Sequence, residues 1–259
     1  MKALLSLHKH RGRSLHGKFL LAGCRQVSRA LDGGRQLETL LLSQSSDVGG
    51  ETEKFAHGVA REAGVALVRC TGQVLDRVAA RPDHDGLVAV CSTWRTSLDE
   101  VTVRQVPLVL VGVGIEKPGN LGALFRIADS AGAEPILLCD PATDPFNPNV
   151  VRSSQGTSCT VPFVLTSTEQ ALTWLEARGL QVVAASPDAS RPYTTSDLTR
   201  PSAVVIGSEH AGMEHQWREF AHELVAIPQN GYADSMNVAM SASVLLFEAL
   251  RQRSKRKES

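Results

Sequence analysis

No run of apolar residues in this 259-residue sequence approaches the roughly 20 that a membrane-spanning helix needs. The longest, such as Val106 to Val113, read as buried strands. Phe19 to Cys24 is too short for the apolar stretch of a signal peptide, and no cleavage pattern follows it. The expectation is a soluble cytoplasmic protein with no membrane partner. The sequence also lacks any C-x-x-C pair. Its five cysteines are an odd number, which supports neither a disulfide framework nor a zinc site, so no metal is expected and the cysteines read as small buried hydrophobes. Net charge is missing as well: 27 Lys plus Arg balance 27 Asp plus Glu, so the total gives no pull toward nucleic acid. Internal repeats and low-complexity segments are absent. With 42% apolar residues the chain has enough to build cores, which excludes a disordered protein.

Charge is present locally. Residues 1–31 hold Lys2, Lys9, Arg11, Arg13, Lys18, Arg25 and Arg29 and no acid. Lys9, Arg11, Arg13 and Arg25 are therefore candidate RNA contacts, because clustered cations meet phosphates. A second basic group, Arg251, Arg253, Lys255, Arg256 and Lys257, reads as a solvated tail.

Hydropathy alternates between strand-like and helix-like periods along the whole chain. Strands are expected at 18–22, 37–42, 65–69 and 86–91, with helices at 25–31, 51–63 and 73–79. The polar stretch 93–106 reads as a linker. Beyond it strands are expected at 108–113, 135–138, 160–165, 181–185, 203–206 and 223–227, with helices at 121–131, 169–178 and 237–252. Strands separated by helices imply a mostly parallel sheet covered on both faces. The organisation is a smaller N-terminal α/β domain over 1–92 and a larger α/β domain over 107–259.

Open parallel sheets bind ligands at the carboxyl ends of their strands, and glycine-rich strand ends are the places to look. The first runs from Gly112 through Gly119-Asn120-Leu121-Gly122 into a helix bearing Arg126. It fails the G-x-G-x-x-G dinucleotide pattern and lacks the Gly-Lys-Ser/Thr of a P-loop, which removes a doubly wound nucleotide enzyme. Asn120 there reads as a helix N-cap. The second is Gly207-Ser208-Glu209-His210-Ala211-Gly212, directly after Val204-Val205-Ile206. The third runs from Ile227-Pro228 to Ser235-Met236-Asn237-Val238, with Ser235 a candidate N-cap for the last helix.

Taken together, Asn120-x-Gly122-x-x-x-Arg126, Gly207-Ser208-Glu209-x-x-Gly212 and Ile227-Pro228 with Ser235-x-Asn237-Val238 resemble, in order and spacing, the three motifs of the SpoU (TrmH) family of RNA 2′-O-ribose methyltransferases, in the SPOUT superfamily. The segments Phe19 to Val27 and Asp85 to Val90 resemble the opening and closing parts of that family's RNA substrate-binding domain. Ala22 and Gly114 stand where the family often carries an acid.

The resemblance implies a trefoil-knot methyltransferase domain, S-adenosyl-L-methionine as cofactor, a homodimer and an RNA substrate. Gly207, Gly212, Ile227, Met236, Asn237 and Val238 would line the cofactor pocket. Arg126, with Asn120, Glu209, Ser235 and Asn237, would form the catalytic group. The family assignment gives Arg126 a proton-handling role. A guanidinium is normally locked in its protonated form, so a clamp on phosphate that also stabilises a developing alkoxide is the physical alternative. A separate N-terminal domain points to ribosomal over transfer RNA. A non-catalytic RNA-binding relative is the other reading. Apolar residues on more than one face of the last helix place it in the expected dimer contact.

Overall fold

The structure is a computed structural model that describes residues 1–44, 50–81, 84–208, 215–232 and 234–258. In chain order its first elements are α1 (Lys2–Ser6), α2 (His10–His16), β1 (Lys18–Ala22), α3 (Cys24–Asp32), β2 (Leu37–Ser43), α4 (Gly50–Ala63), β3 (Ala66–Cys70), α5 (Gly72–Ala79) and β4 (Leu87–Ser92). Then come β5 (Leu108–Val113), α6 (Pro118–Ala131), β6 (Ile136–Cys139), α7 (Pro148–Ser153), β7 (Phe163–Thr166) and α8 (Thr168–Ala177). The last are β8 (Gln181–Ala185), β9 (Ser202–Ile206), α9 (His215–Phe220), β10 (Glu223–Val225) and α10 (Val238–Glu258). The α/β class and the alternation expected from the sequence are both observed. α1, α2, α7 and α9 were not anticipated, and each spans seven residues or fewer, too short for a periodic signal.

Spatially the chain forms two units that are not contiguous in sequence: Met1–Trp94 with Asp144–Thr160, and Arg95–Thr143 with Val161–Ser259. The first is built on a four-stranded sheet in the order β1-β4-β2-β3, antiparallel except between β2 and β3. Leu20, Leu41, Val88 and Val90 alternate along their strands and meet Leu75 and Val78 of α5 and Leu7. Residues 144–160 are held within this unit by backbone contacts. Arg29 donates to the Gln155 carbonyl at 2.9 Å and Arg35 Nε to the Cys159 carbonyl at 2.7 Å. Gly33 comes so close that a Cβ there would stand 2.1 Å from the Cys159 carbonyl oxygen. Phe19, Trp94 and Phe146 complete the contact as a mutual aromatic cluster with centroids 4.7–5.9 Å apart.

Arg13 is a correction. It was grouped with the exposed cations, but the structure places it at 3% exposure, its guanidinium bonded to Asp144 (Nε to Oδ2, 2.7 Å) and to the Leu7 carbonyl (2.8 Å). A buried cation needs a partner, and Asp144 supplies it from 131 residues away. Lys9, Arg11 and Arg25 are exposed, with Arg25 donating to Gln155 at 3.2 Å.

The second unit carries a six-stranded, wholly parallel sheet in the order β10-β8-β9-β5-β6-β7. Every residue of β5, β6 and β9 is buried, as a sheet covered on both faces requires. Val109, Val111, Val113, Leu137 and Val205 pack with Trp174, Leu175 and Trp217 from α8 and α9. α10 lies on β9 and packs along α6. Most of the stretch expected to be a linker lies on this unit: Val101 is buried in its core and the Leu98 carbonyl accepts from Trp174 Nε1 at 3.0 Å. The basic tail is a second correction. α10 continues to Glu258, and half-buried Arg253 donates to the carbonyls of Val106, Pro107, Leu198 and Arg200, so it closes open backbone rather than trailing in solvent. Among the described residues no helix is long and apolar enough to cross a membrane, and no group of His, Cys, Asp and Glu could hold a metal ion. Cys91, Cys139 and Cys159 are buried, Cys24 and Cys70 half-buried, and all five are free thiols.

Candidate active site

Three neighbouring strands at one edge of the parallel sheet, β10, β8 and β9, end side by side, and their carboxyl ends open onto a cleft of about 410 Å³. That volume lies in the range of small-molecule sites. Its lining includes Ile206 at the end of β9, Ile227 past β10, and Met236 and Val238 at the start of α10. Gly207 lies between strand and loop in the same lining, so the chain there presents backbone to the cleft. Ser186 and Asp188 in the turn after β8 and Arg218 on α9, which packs on β8, line it as well, as do Ser208, Asp234 and Ser235. Arg218 and Asp188 stand 3.8 Å apart. Ser186 is 5% exposed, and its hydroxyl has no hydrogen-bond partner among the described residues. A buried hydroxyl without a partner costs free energy.

The helix starts differ from expectation in an instructive way. α6 begins at Pro118 with Lys117 as its N-cap, so Asn120 lies inside the first turn and is no cap. The side chain accepting a bond at the start of α10 belongs to Asn237, whose Oδ1 takes the Ala239 N–H at 3.0 Å; Ser235 is instead exposed on the rim of the cleft. Asn237 Nδ2 in turn donates to Asn120 Oδ1 at 3.1 Å. One amide thus caps α10 and ties it to α6, joining residues 117 positions apart in the chain.

Arg126 is exposed on α6, does not line the cleft, and makes no hydrogen bond or ion pair among the described residues. Its guanidinium is available to a ligand outside the cleft. Of the expected cofactor residues, the structure brings Gly207, Ile227, Met236 and Val238 together on the cleft, while Asn237 is outside its lining and caps α10. Glu209 and Gly212 lie outside the described residues. Ser186, Asp188 and Arg218 were missed in the sequence. The available signal was Ser-Pro-Asp at the carboxyl end of an expected strand, a position overlooked because it holds no glycine.

The chain matches two family models: the SpoU rRNA Methylase family over residues 107–247 and the MRM3-like substrate binding domain over residues 1–89. It is 32% identical over 259 residues to a 23S rRNA (uridine(2479)-2′-O)-methyltransferase of Streptomyces viridochromogenes, covering 97% of this chain and 88% of the relative. It is 34% identical over 200 residues to the 23S rRNA (guanosine-2′-O-)-methyltransferase RlmB of Ralstonia nicotianae, covering 75% and 80%. Among solved structures it is similar to an RNA 2′-O ribose methyltransferase at 36% identity, with a TM-score of 0.85 over 98% of this chain and 95% of that one. It is likewise similar to the SpoU methyltransferase AviRb from Streptomyces viridochromogenes in complex with AdoMet, at 29% identity and a TM-score of 0.88 over 98% and 97%.

Proposed function

The chain belongs to the SpoU rRNA methylase family, and from that premise we propose that it methylates a ribose 2′-hydroxyl of ribosomal RNA with S-adenosyl-L-methionine as methyl donor. The observation that carries the reading is the cleft at the ends of β8, β9 and β10, where Gly207, Ile227, Met236 and Val238 come together. When bound, the donor supplies a methyl group already activated on a sulfonium. The chain's own residues hold and align. Gly207, Ile227, Met236 and Val238 seat the adenosine, with loop backbone groups reading the adenine edge. The second motif is completed by Glu209 and Gly212. The Asn120–Asn237 bond fixes the start of α10, where the cleft forms, against the helix that carries Arg126. Ser235, on the rim, faces incoming ribose. Arg126 clamps the phosphate beside the target ribose and stabilises negative charge developing on the 2′-oxygen, a task for a planar cation that stays protonated.

In this reading residues 1–92, with 144–160, form the RNA substrate-binding domain, and Lys9, Arg11 and Arg25 meet phosphates. Residues 107–143 and 161–259 form a trefoil-knotted methyltransferase domain. The enzyme is a cytoplasmic homodimer whose contact includes α10, where Met240 and Phe247 are exposed. Because Arg126 lies off the cleft, a second copy is the natural source of the complete site.

The test is methyl transfer from labelled donor to ribosomal RNA isolated from cells lacking the protein, with 2′-O-methyl positions mapped afterwards. One stoichiometrically modified ribose is expected. Arg126→Ala should slow transfer roughly 100-fold or more while donor affinity stays within about twofold, and Arg126→Lys should recover little. Incorporation into transfer RNA alone would move the substrate, and incorporation into neither would leave the non-catalytic reading.

A further inference from the structure

Methylating a ribose within an RNA chain requires the target nucleotide to be held in place, and unpaired RNA is held by stacking its bases on aromatic side chains. The chain between β10 and α10 carries such a side chain. It lines the cleft on both sides of Tyr232, through Ile227 and Gln229 before it and Asp234, Ser235 and Met236 after it. Asp234 is two residues on, a span of at most about 7 Å, so Tyr232 is tethered beside the cleft. The side chain is fully exposed, at 107%, more than any other large apolar or aromatic side chain among the described residues. Its ring therefore adds nothing to the core. The segment also lacks cations. Across residues 228–236 the sole charge is Asp234, an acid. Phosphates are drawn to Lys and Arg and repelled by a carboxylate, so this stretch is not built to meet RNA through its phosphates. What it presents is one aromatic face among amides and small residues.

Resting on the RNA-methylation reading of the cleft, we propose that Tyr232 is a stacking platform for an RNA base beside the methylated ribose. The ring takes the face of a base that has left its own stack, and this contact holds the strand over the cleft. Every base has such a face, so the contact fixes where the nucleotide lies rather than which base it is. It suits a loop or bulge, because bases inside an A-form helix are stacked on one another and have no face to offer. Labour is then divided: cations elsewhere in the chain meet phosphates, and Tyr232 meets a base. Tyr232 is a substrate-binding residue and takes no part in the transfer itself.

The test is steady-state methyl transfer by the full-length protein to ribosomal RNA from cells lacking it, with Tyr232 changed to Ala, Leu, Phe and Trp. Tyr232→Ala should raise the KM for RNA roughly five- to hundredfold, the value of one stacked base, and leave kcat within about threefold. Tyr232→Phe and Tyr232→Trp keep an aromatic face and should stay within about threefold of wild type. Tyr232→Leu keeps apolar bulk without that face and should behave like the Ala variant. The melting temperature and the calorimetric affinity for S-adenosylmethionine should be unchanged in all four, since the side chain is exposed. The slope of RNA affinity against salt should also be unchanged, because no cation is lost. The platform is overturned if Tyr232→Ala has the wild-type KM. It is overturned equally if Tyr232→Phe falls as far as Ala, which would assign the effect to the hydroxyl, or if Tyr232→Leu matches wild type. Donor affinity falling in parallel with turnover would place the residue in the cofactor pocket, and a change of oligomeric state in light scattering would place it between copies of the chain; either removes the platform. Wild-type protein that transfers no methyl group to this RNA would remove the methylation reading itself, and the platform with it.

Discussion

Replacing Arg13 by Ala should damage folding rather than RNA contact, and the size of the effect follows from its surroundings. The side chain is 3% exposed and its partner Asp144 is 15% exposed. Two of its nitrogens reach Asp144 Oδ2 at 2.7 Å and a third reaches the Leu7 carbonyl at 2.8 Å. Truncation leaves a largely buried carboxylate without its counter-charge and a carbonyl without a donor. Removing one partner of such a pair costs about 3–5 kcal/mol, a large share of the 5–15 kcal/mol that typically holds a domain folded. Asp144 also accepts the Phe146 N–H at 2.8 Å, so its loss should loosen the 144–160 segment. Urea unfolding followed by circular dichroism measures the cost, and amide exchange assigns it to the first unit. The double variant Arg13→Met with Asp144→Leu should be less unstable than the sum of its single changes, because no charge is left uncompensated. Lys9→Ala with Arg11→Ala, on exposed side chains, should shift stability by less than about 0.5 kcal/mol while flattening the salt dependence of RNA binding. An Arg13→Ala protein with wild-type stability and lost RNA affinity would refute the reasoning and return Arg13 to the RNA surface.

Gly33→Ala should destabilise the first unit strongly, since the new Cβ would stand 2.1 Å from the Cys159 carbonyl oxygen, and that backbone atom has no room to retreat; an unchanged urea midpoint would show that it has. Thiol labelling of the native protein at pH 8 should reach at most Cys24 and Cys70, with Cys91, Cys139 and Cys159 reacting only on unfolding. Those three are buried, and burial pushes the Cys159 thiol up to about 11 and Cys91 higher still; rapid native labelling of more than two thiols would contradict this. Phe247→Glu should shift the proposed dimer toward monomer in light scattering at micromolar concentration, since Phe247 is 44% exposed on α10; a wild-type protein already monomeric there would dispose of the dimer.

The sequence by itself determined the class of fold and the motif set, because both are local. A strand with every residue apolar, such as Leu108–Val113, or an amphipathic segment such as 168–177, declares its element within a few residues, and the alternation of such segments implies a parallel sheet covered on both faces. The resemblance of the three motifs implied that Gly207, Ile227 and Met236 line one pocket, and the fold sets them along one cleft. Tertiary structure decided what depends on partners far away in the chain. Nothing near Arg13 announces that Asp144 will bury it, and a basic run looks alike whether it faces solvent or an acid folded over it. Nothing in residues 144–160 says that they leave the parallel-sheet unit to pack with β1 and α3. Asn120 and Asn237 each read as an ordinary helix-start residue until the fold sets them 3.1 Å apart. Ser186, Asp188 and Arg218 carry no motif; they line one cleft only because α9 packs on β8. Periodicity reports which face of an element is buried, whereas a charge or a hydroxyl takes its meaning from the group opposite it, and long-range packing alone supplies that group.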